Sequence, residues 1–133
     1  MRPQIFVNLH VKDLKKSIDF YGKIGFKNKA QFTDETAACM VLSEEIYVML
    51  LTHEKFKEFT PKDVSDANKT TEVLNALALP SKGEVDALMD KAIAEGGSVL
   101  RPTQDYGFMY SKGFNDPDGH IWEVFWMDPN YVK

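Results

Sequence analysis

A carboxylate lies in the middle of an apolar run near the carboxyl end of the chain. Residues 115–126 read NDPDGHIWEVFW, in which a tight turn precedes a strand-like run that contains Glu123. Burying an ionised carboxylate without a partner is costly, or it forces the pKa of the group up. We therefore predict that Glu123 either pairs with a cation, such as Arg101 or a lysine, or faces a ligand.

His10 is the second reactive side chain in a strand-like run, IFVNLHV. A His and a Glu in one site can act as base and acid for proton transfer, because burial raises the pKa of a carboxyl group and a nearby carboxylate raises that of an imidazole. Glu123 and His10 are the predicted catalytic residues. The alternative for His10 is a structural strand histidine.

Strand alternation predicts which other side chains share a pocket with these two, because residues two apart lie on one face. The sets are Phe6, Asn8 and His10; Val48, Leu50 and Thr52; Glu72, Leu74 and Ala76; and Ile121, Glu123 and Phe125. An apolar lining with a few polar groups is the usual composition of a small-molecule site. Asn8, Thr52 and Glu72 are thus predicted to bind a ligand.

The remaining reactive side chains have simpler interpretations. His53 follows a strand and opens a polar segment, so a rim position is expected, whereas His120 is predicted to be a neighbour of the turn before Glu123. Cys39 is predicted to be a small buried hydrophobe, because no base can be paired with it.

The hydrophobic pattern predicts the elements that position these residues, and the same order occurs twice. Each half reads as strand, helix and three strands, and in the first half Asp13 caps the helix and Gly25 ends it. A polar segment over 53–70, with a short helical possibility at its front, links the halves. The predicted strands span 5–11, 27–33, 36–43, 46–52, 71–79, 98–101, 107–114 and 120–126, and the helices 14–25 and 83–95.

Composition limits the class of protein. The chain has 133 residues, 44% hydrophobic content, a net charge of -4 and one cysteine, which describes a small globular domain without disulfides. Acidity without a basic cluster argues against nucleic acid or an anionic membrane as partner, and it leaves neutral or cationic small molecules. No signal peptide and no membrane span is recognisable, so we expect a cytoplasmic protein.

Two motifs resemble a known family. FVNLHVKDLKKSIDFYGKIGF is similar to the first strand and helix of the vicinal oxygen chelate superfamily, also called the glyoxalase, bleomycin-resistance and extradiol dioxygenase superfamily, and FNDPDGHIWEVFW resembles its last turn and strand. The resemblance implies two modules curved into a cup around the ligand, usually in a homodimer. It also implies a divalent metal held by His, Glu, His and Glu on the first, fourth, fifth and eighth strands. Glu123 matches the last ligand.

The other three ligand positions do not match. They fall on Phe6, Leu50 and Leu74, which cannot bind a metal, and a shift by one residue on the two inner strands brings in only Met49, Leu51, Val73 or Asn75. We therefore predict no metal and no other cofactor. The resemblance also places the segment QDYGFMY where a loop should close the cup, so Tyr106, Phe108 and Tyr110 are predicted to stack on a ligand.

These observations predict an α+β fold of two βαβββ modules that form a curved mixed-sheet cup. Residues 1–133 make one domain, with module 1 at about 1–55, a loop at 56–70 and module 2 at about 71–133. The predicted function is to hold a small organic molecule without the usual metal. The alternative is a lyase or isomerase of the lactoylglutathione-lyase type, either metal-independent or using a rearranged set such as His10, Glu72 and Glu123.

Overall fold

The computed structural model describes residues 2–131 and has the predicted α+β class. The chain forms two compact units, one ending at Asp66 and the other beginning at Ala67. The first unit contains a four-stranded mixed sheet and the second a five-stranded mixed sheet. No helix among the residues described is long and apolar enough to cross a membrane.

The first unit places one long helix on its sheet. Asp13 caps that helix by accepting a hydrogen bond from the Lys16 N–H, and Gly25, with φ of 120°, follows its end. The sheet order is β1-β4-β3-β2, in which only β1 and β4 are parallel. The elements are β1 (Ile5–Val11), α1 (Leu14–Lys23), β2 (Lys27–Asn28), a 3₁₀ turn (Ala30–Phe32), β3 (Ala37–Val41), β4 (Ile46–Thr52) and α2 (His53–Lys57).

One face of the first sheet is buried at its centre, and the register identifies the buried side chains. Leu9 lies opposite Leu50, and Leu50 lies opposite Ala38. All three side chains are at most 4% exposed, and α1 packs against β3 and β4. The other face carries Asn8 opposite Met49 and His10 opposite Leu51. The prediction that Val48, Leu50 and Thr52 share a face with Phe6, Asn8 and His10 is therefore wrong, because parallel pairing puts them on the face of Leu9.

The second unit repeats the arrangement with more strands. The order is β5-β9-β8-β6, and β7 also pairs with β8. Ser81 caps the helix by accepting from the Glu84 N–H, and α3 covers the face that carries Trp122 and Val124. The elements are β5 (Asn75–Ala78), α3 (Lys82–Ala94), β6 (Ser98–Val99), β7 (Gln104–Asp105), β8 (Met109–Asn115) and β9 (Ile121–Met127).

Two strands are much shorter than predicted, and one observed strand was not predicted. The strand predicted over 27–33 stops at Asn28, because the Thr33 hydroxyl lies 2.7 Å from Asn28 Oδ1 and closes a turn. The strand predicted over 71–79 begins only at Asn75, where pairing with Trp122 starts. The short strand β7 was not predicted.

Candidate functional site

Glu123 lies at the centre of β9, on the face of the second sheet that points away from α3. Its neighbours across the two strand pairings are Ala76 and Gly113, neither of which carries a long side chain. The Glu123 side chain is 22% exposed, whereas the adjacent Trp122 and Val124 are buried under α3. We call this side of the sheet, which carries Ala76, Ser111, Gly113, Glu123 and Phe125, the Glu123 face.

The carboxylate of Glu123 forms an ion pair with Arg101. The Nη2 of Arg101 donates to Glu123 Oε1, and the Arg101 side chain is 32% exposed. Arg101 follows β6 in the irregular stretch before β7, so a residue from the edge of the sheet reaches the middle of it. Of the two predicted surroundings of Glu123, a cation or a ligand, the structure shows the cation, Arg101.

The residue before Arg101 is anchored on the same face. The Leu100 N–H donates to the Gly113 carbonyl at 3.0 Å. A Cβ on Gly113 would lie 2.8 Å from Leu100 Cδ2, so the leucine side chain fills the space above the glycine. This contact holds the backbone beside Arg101 in place and thereby limits where its guanidinium can reach.

A serine hydroxyl completes the polar part of the Glu123 face. Ser111 is 5% exposed and lies opposite Phe125, two residues along β8 from Gly113. Its hydroxyl makes no hydrogen bond within the part of the chain that the structure describes. Sequence analysis did not select Ser111, although strand alternation from Glu123 through the β8 register would have found it.

His10 lies on the face of the first sheet that is opposite to Leu9, and it is 8% exposed. Its ring makes edge contacts with His53, at 5.0 Å between centroids, and with Phe56, at 5.1 Å. The Asn8 side chain on this face donates to the Phe6 carbonyl at 3.1 Å, and the Phe6 ring stacks on Tyr47. His10 and Asn8 therefore share a face as predicted, in surroundings of aromatic rings.

Thr52 and Glu72 do not join these faces. The Thr52 hydroxyl caps α2 by accepting from the Lys55 N–H at 3.3 Å, and the strand register puts Thr52 opposite Val11. Glu72 is exposed and precedes β5, so strand alternation does not apply to it. Their predicted contacts with a ligand stay predictions.

The three predicted aromatic residues separate into two groups. Tyr106 and Phe108 stack at 6.3 Å, and Phe108 stacks on Tyr131 at 4.2 Å, so they form an aromatic cluster beside β7 and β8. Tyr110 lies within β8 opposite Trp126, on the face covered by α3. Tyr110 thus lies in a strand, as the predicted strand over 107–114 has it, and not in the cup-closing loop expected for QDYGFMY, because β8 begins at Met109.

Tyr110 belongs to a charged cluster under α3. The Asp86 carboxylate accepts from the Tyr110 hydroxyl at 2.7 Å and from Lys112 Nζ at 2.8 Å. The bond from Lys112 has the largest effect on Asp86 and lowers its pKa, and the bond from Tyr110 lowers it further. The bond to Asp86 raises the pKa of both Tyr110 and Lys112. Lys82 Nζ also lies 5.6 Å from the Tyr110 ring centroid. The cluster joins α3 to β8.

Three minor candidates have the surroundings expected of them. His53 is exposed. His120 is buried next to the turn, and its backbone N–H donates to Asp116 Oδ1 at 2.9 Å. Cys39 is buried, and desolvation raises the pKa of its thiol.

The residues present do not fit the metal implied by the resemblance. Within residues 2–131, no three His, Cys, Asp or Glu side chains come together as a metal-binding group. Leu50 lies on the buried face of its sheet, Phe6 is packed on Tyr47, and Glu123 is paired with Arg101. The donor set for a divalent ion is missing.

Comparisons with known proteins agree with the fold. The family model described as the Glyoxalase/Bleomycin resistance protein/Dioxygenase superfamily matches residues 5–124. A hypothetical protein, SA1046 from S. aureus, has 28% identity and a TM-score of 0.77, over 94% of each chain. A glyoxalase-related enzyme from Fulvimarina pelagi has 23% identity and a TM-score of 0.79, over 95% of this chain and 88% of its own.

A more distant similarity is to the fosfomycin resistance protein FosX from Mesorhizobium loti. It has 12% identity and a TM-score of 0.71, over 98% of this chain and 97% of its own. No curated protein matches the chain.

Proposed function

The chain belongs to the glyoxalase/bleomycin resistance protein/dioxygenase superfamily, and from this premise we propose that it binds a small organic molecule on the Glu123 face without a metal centre. The observation that carries the proposal is the Arg101–Glu123 pair. Glu123 is the one metal-type ligand at the four expected positions, and its carboxylate is occupied by a guanidinium. A polar pair set among apolar side chains is suited to orienting an organic ligand.

The surroundings of the pair support binding rather than a purely structural role. Phe125 and Met127 follow Glu123 on the same face, and both are partly exposed. Partly exposed apolar side chains around a fixed polar centre provide contact area together with orientation.

The second candidate function is that of a metal-independent lyase or isomerase. The observation in its favour is His10, an imidazole that is 8% exposed and contacts a second imidazole, that of His53. An imidazole is a common proton carrier in catalysis. In this second candidate function His10 carries the proton, and the substrate is again a small organic molecule.

A ligand screen by thermal shift tests the proposal, because a compound that binds only the folded state raises the melting temperature. Hits are re-measured by calorimetry on Glu123→Gln and on Glu35→Gln, an exposed glutamate of the other unit. We expect Glu123→Gln to weaken binding and Glu35→Gln to leave it unchanged. Equal affinity in both variants would refute a site on the Glu123 face.

The same hits decide between the two candidate functions. Each is incubated with the protein and followed by NMR for conversion to product. Turnover that is lost in His10→Ala supports the enzyme, whereas binding without turnover supports the binding protein. We further propose that a second copy of the chain is the macromolecular partner, and that the protein acts in the cytoplasm.

A further inference from the structure

The guanidinium of Arg101 has hydrogen-bonding capacity that the protein does not use. Guanidinium carries several N–H donors in a planar fork, and the ion pair with Glu123 takes one nitrogen, Nη2. The Arg101 guanidinium makes no other hydrogen bond to the residues described. About a third of the side chain is exposed, and no Arg101 nitrogen is among the buried side-chain atoms that lack a partner in residues 2–131, so the unused donors can be reached by a ligand.

We propose that Arg101 binds an anionic group of the ligand, namely a carboxylate, phosphate or phosphonate. This inference rests on the function proposed above and gives the class of ligand. A planar fork with unused donors matches two oxygens of such a group, and a bond between charged partners is stronger than one between neutral partners. Glu123 is then a positioning residue, which holds the fork in place through Oε1.

Other features of the Glu123 face agree with an anion there. Ser111 is 5% exposed and its hydroxyl has no partner among the residues described, so it can donate to a ligand oxygen. Leu100 packs over Gly113 and fixes the chain next to Arg101. Acidity of the whole chain alone favours neutral or cationic ligands, but the local charge of Glu123 is already balanced by Arg101.

A competing location lies on the other side of the sheet edge. A groove of about 480 Å³ between α3 and the chain that follows β6 is lined by Arg101 and Lys112, with apolar walls that include Ile93 and Val99. Lys112 is bound to Asp86 there, and a further carboxylate, that of Asp90, also lines the groove. The groove is therefore less suited to an anion than the Glu123 face, and Lys112 distinguishes the two locations.

The experiment uses four probes of similar shape and different charge on the full chain. Benzoate and phenylphosphonate are anionic, benzamide is neutral and benzamidine is cationic. Affinities are measured by NMR titration, in which the Ser111 and Gly113 amide signals report on the Glu123 face. We expect the two anions to bind more tightly than benzamide and benzamidine and to shift both signals.

The variants assign this preference to one side chain. Arg101→Gln should weaken the anions about tenfold or more, Arg101→Lys should weaken them less, and Ser111→Ala should have a smaller effect. Arg2→Gln removes an arginine paired with Glu44 in the other unit and should change nothing. Melting temperatures verify that each variant is folded. If Arg101→Gln does not fold, the probe preference and the signals of the wild-type protein still decide the question.

Each result supports or overturns the proposal. Tighter binding of benzamidine than of benzoate, or anion affinity that survives Arg101→Gln, overturns the anionic ligand class. An equal loss in Lys112→Gln places the anion in the groove and overturns the assigned location. If benzamide binds the Glu123 face as well as benzoate does, the proposed function stands and this inference falls. If no probe shifts Ser111 or Gly113, both fall.

Discussion

The Arg101–Glu123 pair should contribute measurably to stability, and a double-mutant cycle can measure the contribution. The two side chains are 32% and 22% exposed. Fully exposed pairs couple by about 0.2–1 kcal/mol, whereas breaking a buried pair costs about 3–5 kcal/mol. The intermediate burial of this pair predicts a coupling free energy of about 1–2 kcal/mol.

The cycle consists of Glu123→Gln, Arg101→Gln and the double variant, each unfolded in urea. For a chain of this length, a loss of 1–2 kcal/mol lowers the melting temperature by about 4–8 °C. The double variant should be more stable than the sum of the two single losses predicts, because it leaves no unpaired charge. Glu123→Gln should lower the free energy of unfolding because it removes the ion pair. If the carboxylate had no partner, removing its charge would leave the stability unchanged or raise it.

A second cycle in the same protein provides the control. Arg2 and Glu44 also pair, at 2.9 Å, but their side chains are 74% and 84% exposed. Their coupling should be below about 0.5 kcal/mol and should decrease further in high salt. Equal coupling in the two cycles would show that partial burial adds nothing to the Arg101–Glu123 pair, and the reasoning from exposure would be refuted.

Four further predictions can be tested independently. Protein purified without a chelator or a nickel column should contain no stoichiometric divalent metal; one equivalent by elemental analysis would contradict this. Light scattering should give about twice the 15.1 kDa of one chain, and a clean monomer at micromolar concentration would disprove the dimer. Gly119→Ala should destabilise the protein by about 2 kcal/mol or more, because φ is +91° and a Cβ would lie 2.6 Å from Asn68 Oδ1. The control, Gly22→Ala in α1, should be neutral or stabilising, because a Cβ there meets nothing within 4 Å. Asp86→Asn should lower the melting temperature at neutral pH. Because folding lowers the pKa of Asp86 below its ordinary value of 3.8, the difference in stability between the wild type and the variant should be present above pH 3.8 and disappear as the pH falls further.

Local signals predicted much of the fold. The bounds of β1 and β4 agree with the prediction, and α1 begins after its predicted cap, Asp13, because strand alternation and helix caps depend on a few adjacent residues. Strand ends decided by pairing were less predictable. The beginning of β5 at Asn75 depends on the position of Trp122, a distant residue. The turn at Thr33 depends on a side-chain bond that hydrophobic pattern does not encode.

Register limited the prediction of the candidate site. Alternation within β1 correctly grouped Asn8 with His10, but it could not decide which face of β4 joins them. The parallel pairing answers this by setting His10 opposite Leu51 rather than Leu50. A shift of one residue exchanges the two faces of a strand, so the inference from β1 to β4 failed although the inference within β1 held.

The same argument explains why Ser111 and Arg101 rather than Tyr110 accompany Glu123. Tyr110 and Ser111 are adjacent in β8, so they point to opposite faces, and the antiparallel register gives the Glu123 face to Ser111. Tyr110 instead binds Asp86 under α3. Arg101 comes from an irregular edge segment, for which alternation makes no prediction, and sequence could name it only as one possible cation. The charge of Glu123 could be read from the sequence. Its neutralisation by Arg101, on which the proposed class of ligand depends, is a contact between residues 22 positions apart.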